Sequence, residues 1–345
     1  MNTIPQSLRL KATLHALVLS ALVATPAFAT DTQPPADTSP ATLETPAEAK
    51  PKAAPMPPTE ADVRYGPHER NVLDFYQAKS DRPTPLVLYM HGGGWTMGDK
   101  HTLPMLKSYL AAGISVVSIN YRYIAQAGDV TPPVKAPLYD AARALQFVRS
   151  KAKEWNLDKQ RICASGSSAG ACTALWLAFH DDLADPKSTD LIARESTRLW
   201  CVAVLNAQTS LDPKQMKEWT PNSGYGGHAF GFKASGARKT TAFAEFLSNR
   251  DKVLPWIAEY SPYVLVTADD PPVYLFYSRP PGLGENQPDP THTSNFGVKL
   301  QEHCKELGVA CELVYPGAPD VQHPRLDKYV IDVLKAPSAK SGTPR

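Results

Sequence analysis

The chain has almost no surplus of charge. Its 36 Lys and Arg face 34 Asp and Glu, a formal net charge of +2 over 345 residues. That balance offers neither a nucleic acid nor an anionic membrane surface a handle, so neither is expected as a partner. Cysteine is scarce as well, with five residues, an odd number. None is spaced with histidine in a way that would wrap zinc, and no metal or cofactor is expected. Long apolar runs are also missing. The stretch from Ala12 to Ala24 is shorter than the ~20 residues that a membrane span needs. No internal repeat is present.

What stands at the N-terminus reads as an address. Arg9 and Lys11 precede the apolar stretch, and Ala27-Phe28-Ala29 follows it with small residues at the two positions a signal peptidase reads. Residues 1–29 are therefore expected to be a secretory signal, with Thr30 as the mature N-terminus and a periplasmic or secreted product that keeps no stable membrane insertion. Cleavage would remove two positive charges and no acids, leaving a neutral chain. Residues 30–60 are rich in Pro, Ala, Thr and Glu without apolar periodicity, and read as a disordered linker. Residues 336–345 read as a disordered tail.

The remainder, 61–335, is long enough for one large domain. Apolar runs of buried-strand type fall at Val72 to Phe75, Pro85 to Met90, Ile114 to Ile119, Arg161 to Ala164, Cys201 to Leu205, Val273 to Tyr277 and Cys311 to Tyr315. Helical patterns lie at Leu103 to Ala112, Pro137 to Trp155, Ala171 to Phe179, Ser294 to Leu307 and Leu326 to Leu334. Such alternation predicts an α/β fold, a mostly parallel sheet with helices on both faces. One stretch breaks it. Residues 206–266 hold nine aromatics with several glycines and are too long for an ordinary connection. Cys163, Cys172 and Cys201 fall in core elements. Cys304 and Cys311 flank a turn, where a bridge and two buried thiols are both open.

Two motifs carry chemistry. Arg161-Ile-Cys-Ala reads as a strand, and Gly166-Ser167-Ser168-Ala169-Gly170 turns it into a helix. A turn this tight leaves its middle residue strained and exposed, and puts the Ser168 hydroxyl at a helix N-terminus, where developing negative charge is favoured. Pro85 to Met90 runs straight into His91-Gly92-Gly93-Gly94-Trp95. Consecutive glycines after a strand leave bare amides that a carbonyl oxygen can approach, as an oxyanion hole requires.

With these motifs, and with Ser118-Ile-Asn-Tyr-Arg-Tyr123 and Asp140-Ala-Ala-Arg-Ala-Leu-Gln-Phe-Val148, the chain resembles the α/β-hydrolase superfamily from about Tyr65 to Leu334. The branch it resembles holds esterases and lipases related to hormone-sensitive lipase and bacterial feruloyl-esterase-like proteins. The resemblance implies an α/β-hydrolase fold in which 206–266 is a lid-like insertion, and a catalytic triad in the chain order Ser, acid, His. Ser168 is then the nucleophile. The base is expected at His323, in the loop after the last strand, with His292 as runner-up. The acid is expected after the penultimate strand, at Asp289, with Glu285 as the alternative. The amides of Gly93, Gly94 and Ala169 would bind the oxyanion, His91 would hold the loop, and Trp95 and Tyr225 would line the substrate pocket. The expected activity is that of an exported serine carboxylesterase acting through an acyl-enzyme on small or medium carboxylic esters, free or linked to polysaccharide. An amidase or peptidase of the same fold, and a non-catalytic binding protein, remain the alternatives. Nothing in the sequence speaks to oligomeric state.

Overall fold

The computed structural model describes residues 56–233 and 240–337. The expected signal segment, most of the linker and all but the first two residues of the expected tail lie outside them. The linker's last residue does not: Glu60 already belongs to a strand.

Eight strands form one sheet in the order β1-β2-β4-β3-β5-β6-β7-β8. They are β1 (Glu60–Arg64), β2 (Val72–Tyr76), β3 (Thr84–Met90), β4 (Ser115–Ile119), β5 (Leu157–Ser167), β6 (Cys201–Leu205), β7 (Val273–Phe276) and β8 (Cys311–Val314). The first two pairings, β1 with β2 and β2 with β4, are antiparallel. From β4 through β3 to β8 every pairing is parallel. The helices are α1 (Leu106–Ala111), α2 (Lys135–Ser150), α3 (Ala169–Phe179), α4 (Pro213–Trp219), α5 (Thr240–Ser248), α6 (Leu254–Tyr260), α7 (Pro262–Leu265), α8 (Asn295–Glu306) and α9 (Leu326–Lys335). This is the α/β architecture expected, a mostly parallel sheet with helices on both faces.

The strands are apolar on both sides because both faces are covered. Successive residues of a strand point to opposite faces, and the core divides accordingly. Leu86, Leu88, Met90, Val117, Ile119, Ile162, Ala164, Val202, Val204 and Leu275 face one layer, which α2, α3 and α8 close. Val87, Val116, Cys163, Cys201, Ala203 and Tyr274 face the other, closed by Tyr109 of α1 and by Leu326, Tyr329, Val330 and Leu334 of α9. All five cysteines are free thiols, so the bridge between Cys304 and Cys311 is not formed.

Register decides where the loops meet. Met90 stands opposite both Ile119 and Gly166, Ser167 opposite Leu205, and Leu205 opposite Phe276. The carboxyl ends of β3, β5, β6 and β7 therefore finish level. In an open parallel sheet this edge is where ligands bind, and here it gathers four loops: the glycine loop, the serine turn, the 206–266 insertion and the loop that carries Asp289. Among the described residues no helix is long and apolar enough to cross a membrane.

Candidate active site

Ser168 sits between β5 and α3 with φ 52° and ψ −122°, a backbone conformation that side chains rarely adopt. The glycines on either side make it possible. A Cβ on Gly170 would lie 2.2 Å from the Met90 carbonyl oxygen and 2.4 Å from that of His91, and one on Gly166 only 2.5 Å from the Gly170 carbonyl oxygen. Strand, helix and neighbouring strand thus approach to a distance that only glycine permits. The Ser168 amide donates to Leu205 O at 3.0 Å, which ties the turn to β6. The side chain is left partly exposed at the first turn of α3.

The histidine beside this serine is not the one expected as base. His292 Nε2 lies 2.9 Å from Ser168 Oγ, and His292 Nδ1 lies 2.8 Å from Asp289 Oδ2. His323 is engaged elsewhere. Its Nδ1 meets Glu312 Oε2 at 2.7 Å, its backbone amide donates to Glu312 Oε1, and its Nε2 faces Asp332 of α9 at 3.5 Å. Tyr274 donates to its carbonyl oxygen. Expectation and structure part here for a local reason. Glu312, on β8, holds His323 at that strand, and the β7–α8 loop has already delivered a histidine to the serine.

That loop builds its acid–base pair within one turn. Asp289 Oδ1 accepts from the amides of Thr291 at 3.2 Å and His292 at 3.3 Å, while Oδ2 takes the His292 ring nitrogen. Burial pushes the Asp289 carboxyl up, but the hydrogen bond and charge of His292 and the two amides outweigh it and hold the group below its ordinary range. A carboxylate that is ionised and fixed on Nδ1 leaves Nε2 to accept a proton from the serine. Glu285, the alternative acid, is exposed and bonds through its amide to Gly282 O.

Three polar side chains, none of them read as functional from sequence, pin the loop. Gln208, fully buried, donates to Thr291 O at 2.7 Å, one residue before the base. Asn222 exchanges two hydrogen bonds with the Gln287 backbone at 2.8 and 2.9 Å. Asn295, at the start of α8, bonds the carbonyls of Trp219 and Gly282 and accepts from Gly282 N. Only contacts distant in sequence reveal these roles. The spacing of Asp289 and His292, three residues apart, was a visible signal of a different kind, because such a pair fits one turn.

The glycine loop lies against the serine. A Cβ on Gly92 would be 3.4 Å from Ser168 Cβ. Gly93 (φ 106°) and Gly94 (φ 61°) take left-handed conformations, and Gly93 O accepts from the Thr96 and Met97 amides. Among the described residues the amides of Gly93 and Gly94 donate to no other backbone group. His91 holds the loop from below. Its Nδ1 donates to Gly92 O at 2.7 Å, its ring stacks on Tyr121 at 4.3 Å, and Tyr121 donates to its carbonyl oxygen at 2.6 Å. Burial, with the Arg70 guanidinium nearby, pushes the His91 ring down to about 4 against the pull of its bond to Gly92, so it is neutral.

Trp95 does not line a pocket as expected. It is fully buried, with its indole N–H on Thr173 Oγ1 at 2.9 Å. It fastens the end of the glycine loop to α3, and the large indole surface makes the core a better place for it than the cleft. Tyr225 does come to the site. A Cβ on Gly94 would lie 3.7 Å from Tyr225 Oη and 3.7 Å from His228 Nε2, and His228 donates to Gly94 O at 3.0 Å. The described residues hold no cluster of side chains suited to a metal ion.

Comparisons with known proteins place the chain in a family. The family model described as BD-FAE matches residues 73–280, more than half of the chain. The "Probable isoprenylcysteine alpha-carbonyl methylesterase ICMEL1" of Arabidopsis thaliana is 31% identical over 145 residues, which are 41% of this chain and 29% of that protein. The versiconal hemiacetal acetate esterase of Dothistroma septosporum is 32% identical over 132 residues, 37% of this chain and 38% of that one. The chain thus spans about a third of the length of these curated relatives. Among solved structures, an acetyl ester-xyloside bifunctional hydrolase from Caldicellulosiruptor lactoaceticus superposes with a TM-score of 0.53 at 26% identity, covering 71% of this chain and 76% of that one.

Proposed function

The chain belongs to the BD-FAE family of α/β-hydrolase esterases, and from that premise we propose that it is a serine carboxylesterase whose triad is Ser168, His292 and Asp289. The observation that carries this reading is the continuous hydrogen-bonded relay of 2.9 and 2.8 Å from Ser168 Oγ through His292 to Asp289. His292 Nε2 takes the hydroxyl proton as Ser168 Oγ attacks the ester carbonyl carbon. Asp289 stabilises the imidazolium that forms. The oxyanion is held by the amides of Gly93, Gly94 and Ala169, the last at the N-terminus of α3, where the dipole adds to the hydrogen bond. Collapse expels the alcohol, which receives the proton from His292. Water, deprotonated by the same ring, then releases the acid from the acyl-enzyme.

Small acyl groups are the proposed substrates, a reading supported by the acetyl esters named for two of the relatives. If residues 1–29 direct export as expected, polysaccharide-borne acetyl or aromatic acyl esters are the proposed substrates. An amidase would need the same relay, and no separate feature favours it. A non-catalytic binding protein has no use for a strained serine backed by a hydrogen-bonded base.

The test is active-site labelling and turnover together. The wild type should react with a fluorophosphonate at Ser168 and hydrolyse p-nitrophenyl acetate. His292→Ala should lose about 10³-fold or more in kcat, and His323→Ala should stay within a few-fold of wild type. The opposite ranking would return the base to His323. Absence of both labelling and turnover would refute the enzyme.

A further inference from the structure

The overall balance of charge conceals one place where it fails. At the amino-terminal edge of the sheet, opposite the end that carries Ser168, lies a pocket of about 420 Å³. The length of β3 separates the two edges, about 20 Å of extended chain. Three segments meet at the pocket: 79–85 leading into β3, Ala112 and Gly113 after α1, and the last residues of α9, together with Arg161 of β5. The lining holds four cations, Lys79, Arg82, Arg161 and Lys335, and no Asp or Glu. Other basic side chains of this surface meet carboxylates, as Lys151 does Glu154, Lys159 does Glu195 and Lys328 does Asp332. Here Lys79 and Arg82 have no side-chain partner among the described residues. Lys335 Nζ donates to a carbonyl, Ala112 O, at 2.9 Å. Arg161 meets one carboxylate, Asp158, at 3.5 Å and donates from Nη1 to Leu334 O at 3.1 Å. Ala112 and Leu334 both belong to the wall, so these two bonds bring the charges of Lys335 and Arg161 to it.

We infer that this pocket binds a small organic polyanion, a molecule that carries two or more carboxylate or phosphate groups. A concavity lined by charges of one sign focuses their field and draws in the opposite sign. Without acids among them the four cations also repel one another, and a bound anion removes that cost. The two guanidinium groups offer planar forks that fit a carboxylate or a phosphate, and the two ammonium groups add point charges. The volume falls in the range of small-molecule sites and exceeds what one acidic group fills, while Pro83, Pro85 and Leu334 give a carbon frame an apolar wall. The site is separate from the relay at Ser168 and does not depend on the esterase reading. Because it joins the end of α9 to the amino edge of β3, an occupant should hold those segments together and raise stability by mass action.

Titration calorimetry on the wild-type protein in a phosphate-free buffer tests this, with citrate and pyrophosphate as the two probes. At least one should bind with a Kd of about 0.1–1 mM at low salt, more weakly as NaCl is raised to about 0.3 M, and should raise the melting temperature. Citrate alone would assign the site to polycarboxylates, pyrophosphate alone to phosphorylated ligands. The double variant Lys79→Gln, Arg82→Gln should weaken binding about tenfold or more. Neither side chain has a partner to lose, so its melting temperature without probe and its turnover of p-nitrophenyl acetate should match wild type. Lys159→Gln, which removes a cation outside the pocket, should bind as wild type does. The inference is overturned if neither probe binds at about 5 mM, if the double variant binds as tightly as wild type, or if Lys159→Gln weakens binding as much, which would make the attraction one of general surface charge.

Discussion

Lowering the pH should loosen this protein through His91, by an amount the structure lets one work out. The ring is about 1% exposed and hydrogen-bonded through Nδ1 to Gly92 O, with the Arg70 guanidinium 3.4 Å from Nε2. Its affinity for a proton falls from the ordinary 6.5 to about 4 in the folded chain. The unfolded chain therefore binds more protons between those values, and folding stability rises with pH across that window. The neutral ring's contribution is complete above pH about 6.5 and is lost as the pH drops toward about 4. Linkage gives a loss of about 1.4 kcal/mol by pH about 5.5 and about 3 kcal/mol by pH about 4. Urea unfolding at a series of pH values, on wild type and His91→Gln, measures it. Glutamine can still donate to Gly92 O but does not titrate, so its curve should lack this part of the slope, whatever its stability at neutral pH. Two parallel curves would mean that His91 is hydrated or protonated in the native state, and the account of a neutral ring bracing the glycine loop would fail.

Other outcomes follow from the same geometry. Asp289→Asn should lower kcat by about 10²–10⁴ with the fold intact, while Glu285→Gln should match wild type; steady-state kinetics on p-nitrophenyl acetate checks the pair, and the reverse ranking would move the acid to Glu285. Gln208→Leu should cut kcat about 10–100-fold with little change in KM, because the carbonyl before the base loses its anchor and His292 shifts relative to Ser168; a change in KM alone would show that Gln208 acts on substrate instead. Gly170→Ala should destabilise the chain by about 3 kcal/mol in urea unfolding, the upper end of overpacking, because its Cβ would meet two backbone oxygens that have no room to retreat. A variant as stable as wild type would show that α3 can slide away from β3.

Much of the fold was readable because its elements obey simple periodicities. The strand Cys201–Leu205 was anticipated to the residue, and the others from β2 onward to within a few residues, since a strand covered on both faces must be apolar throughout. The exception, β1, is Glu-Ala-Asp-Val-Arg. As an edge strand paired only to β2, it needs no such run, and its composition hid it within a polar segment. In α2 the first helical residue is Lys135, ahead of the expected Pro137, because proline in the first turn costs no hydrogen bond. The helices α4 to α7 were not anticipated. Their aromatics are placed for contacts between elements, Trp219 and Tyr263 on α8 and Phe246 and Trp256 on Phe230.

The site divides along the same line. Ser168 and the glycine loop were legible because each is a stretch of consecutive residues whose backbone demands are written in glycine. The histidine that meets the serine was not, because the reading relied on where the resembling family keeps its histidine. In that layout acid and base sit on separate loops, after β7 and after β8, and their meeting depends on how two strands pack. Here Asp289-Pro-Thr-His292 brings the two groups together within one turn. The carboxylate caps the amides of the turn that carries its own partner, and Pro290 restricts the backbone between them. Once the pair is local, the loop after β8 is released from the serine, and His323 is free to join β8 to α9 through Glu312 and Asp332. A histidine in the family's usual place is thus no guarantee of the family's usual role. The discriminating question is what holds its Nδ1: at His292 it is Asp289 in the loop after β7, at His323 it is Glu312 on β8 itself, and only the first of these histidines faces a nucleophile.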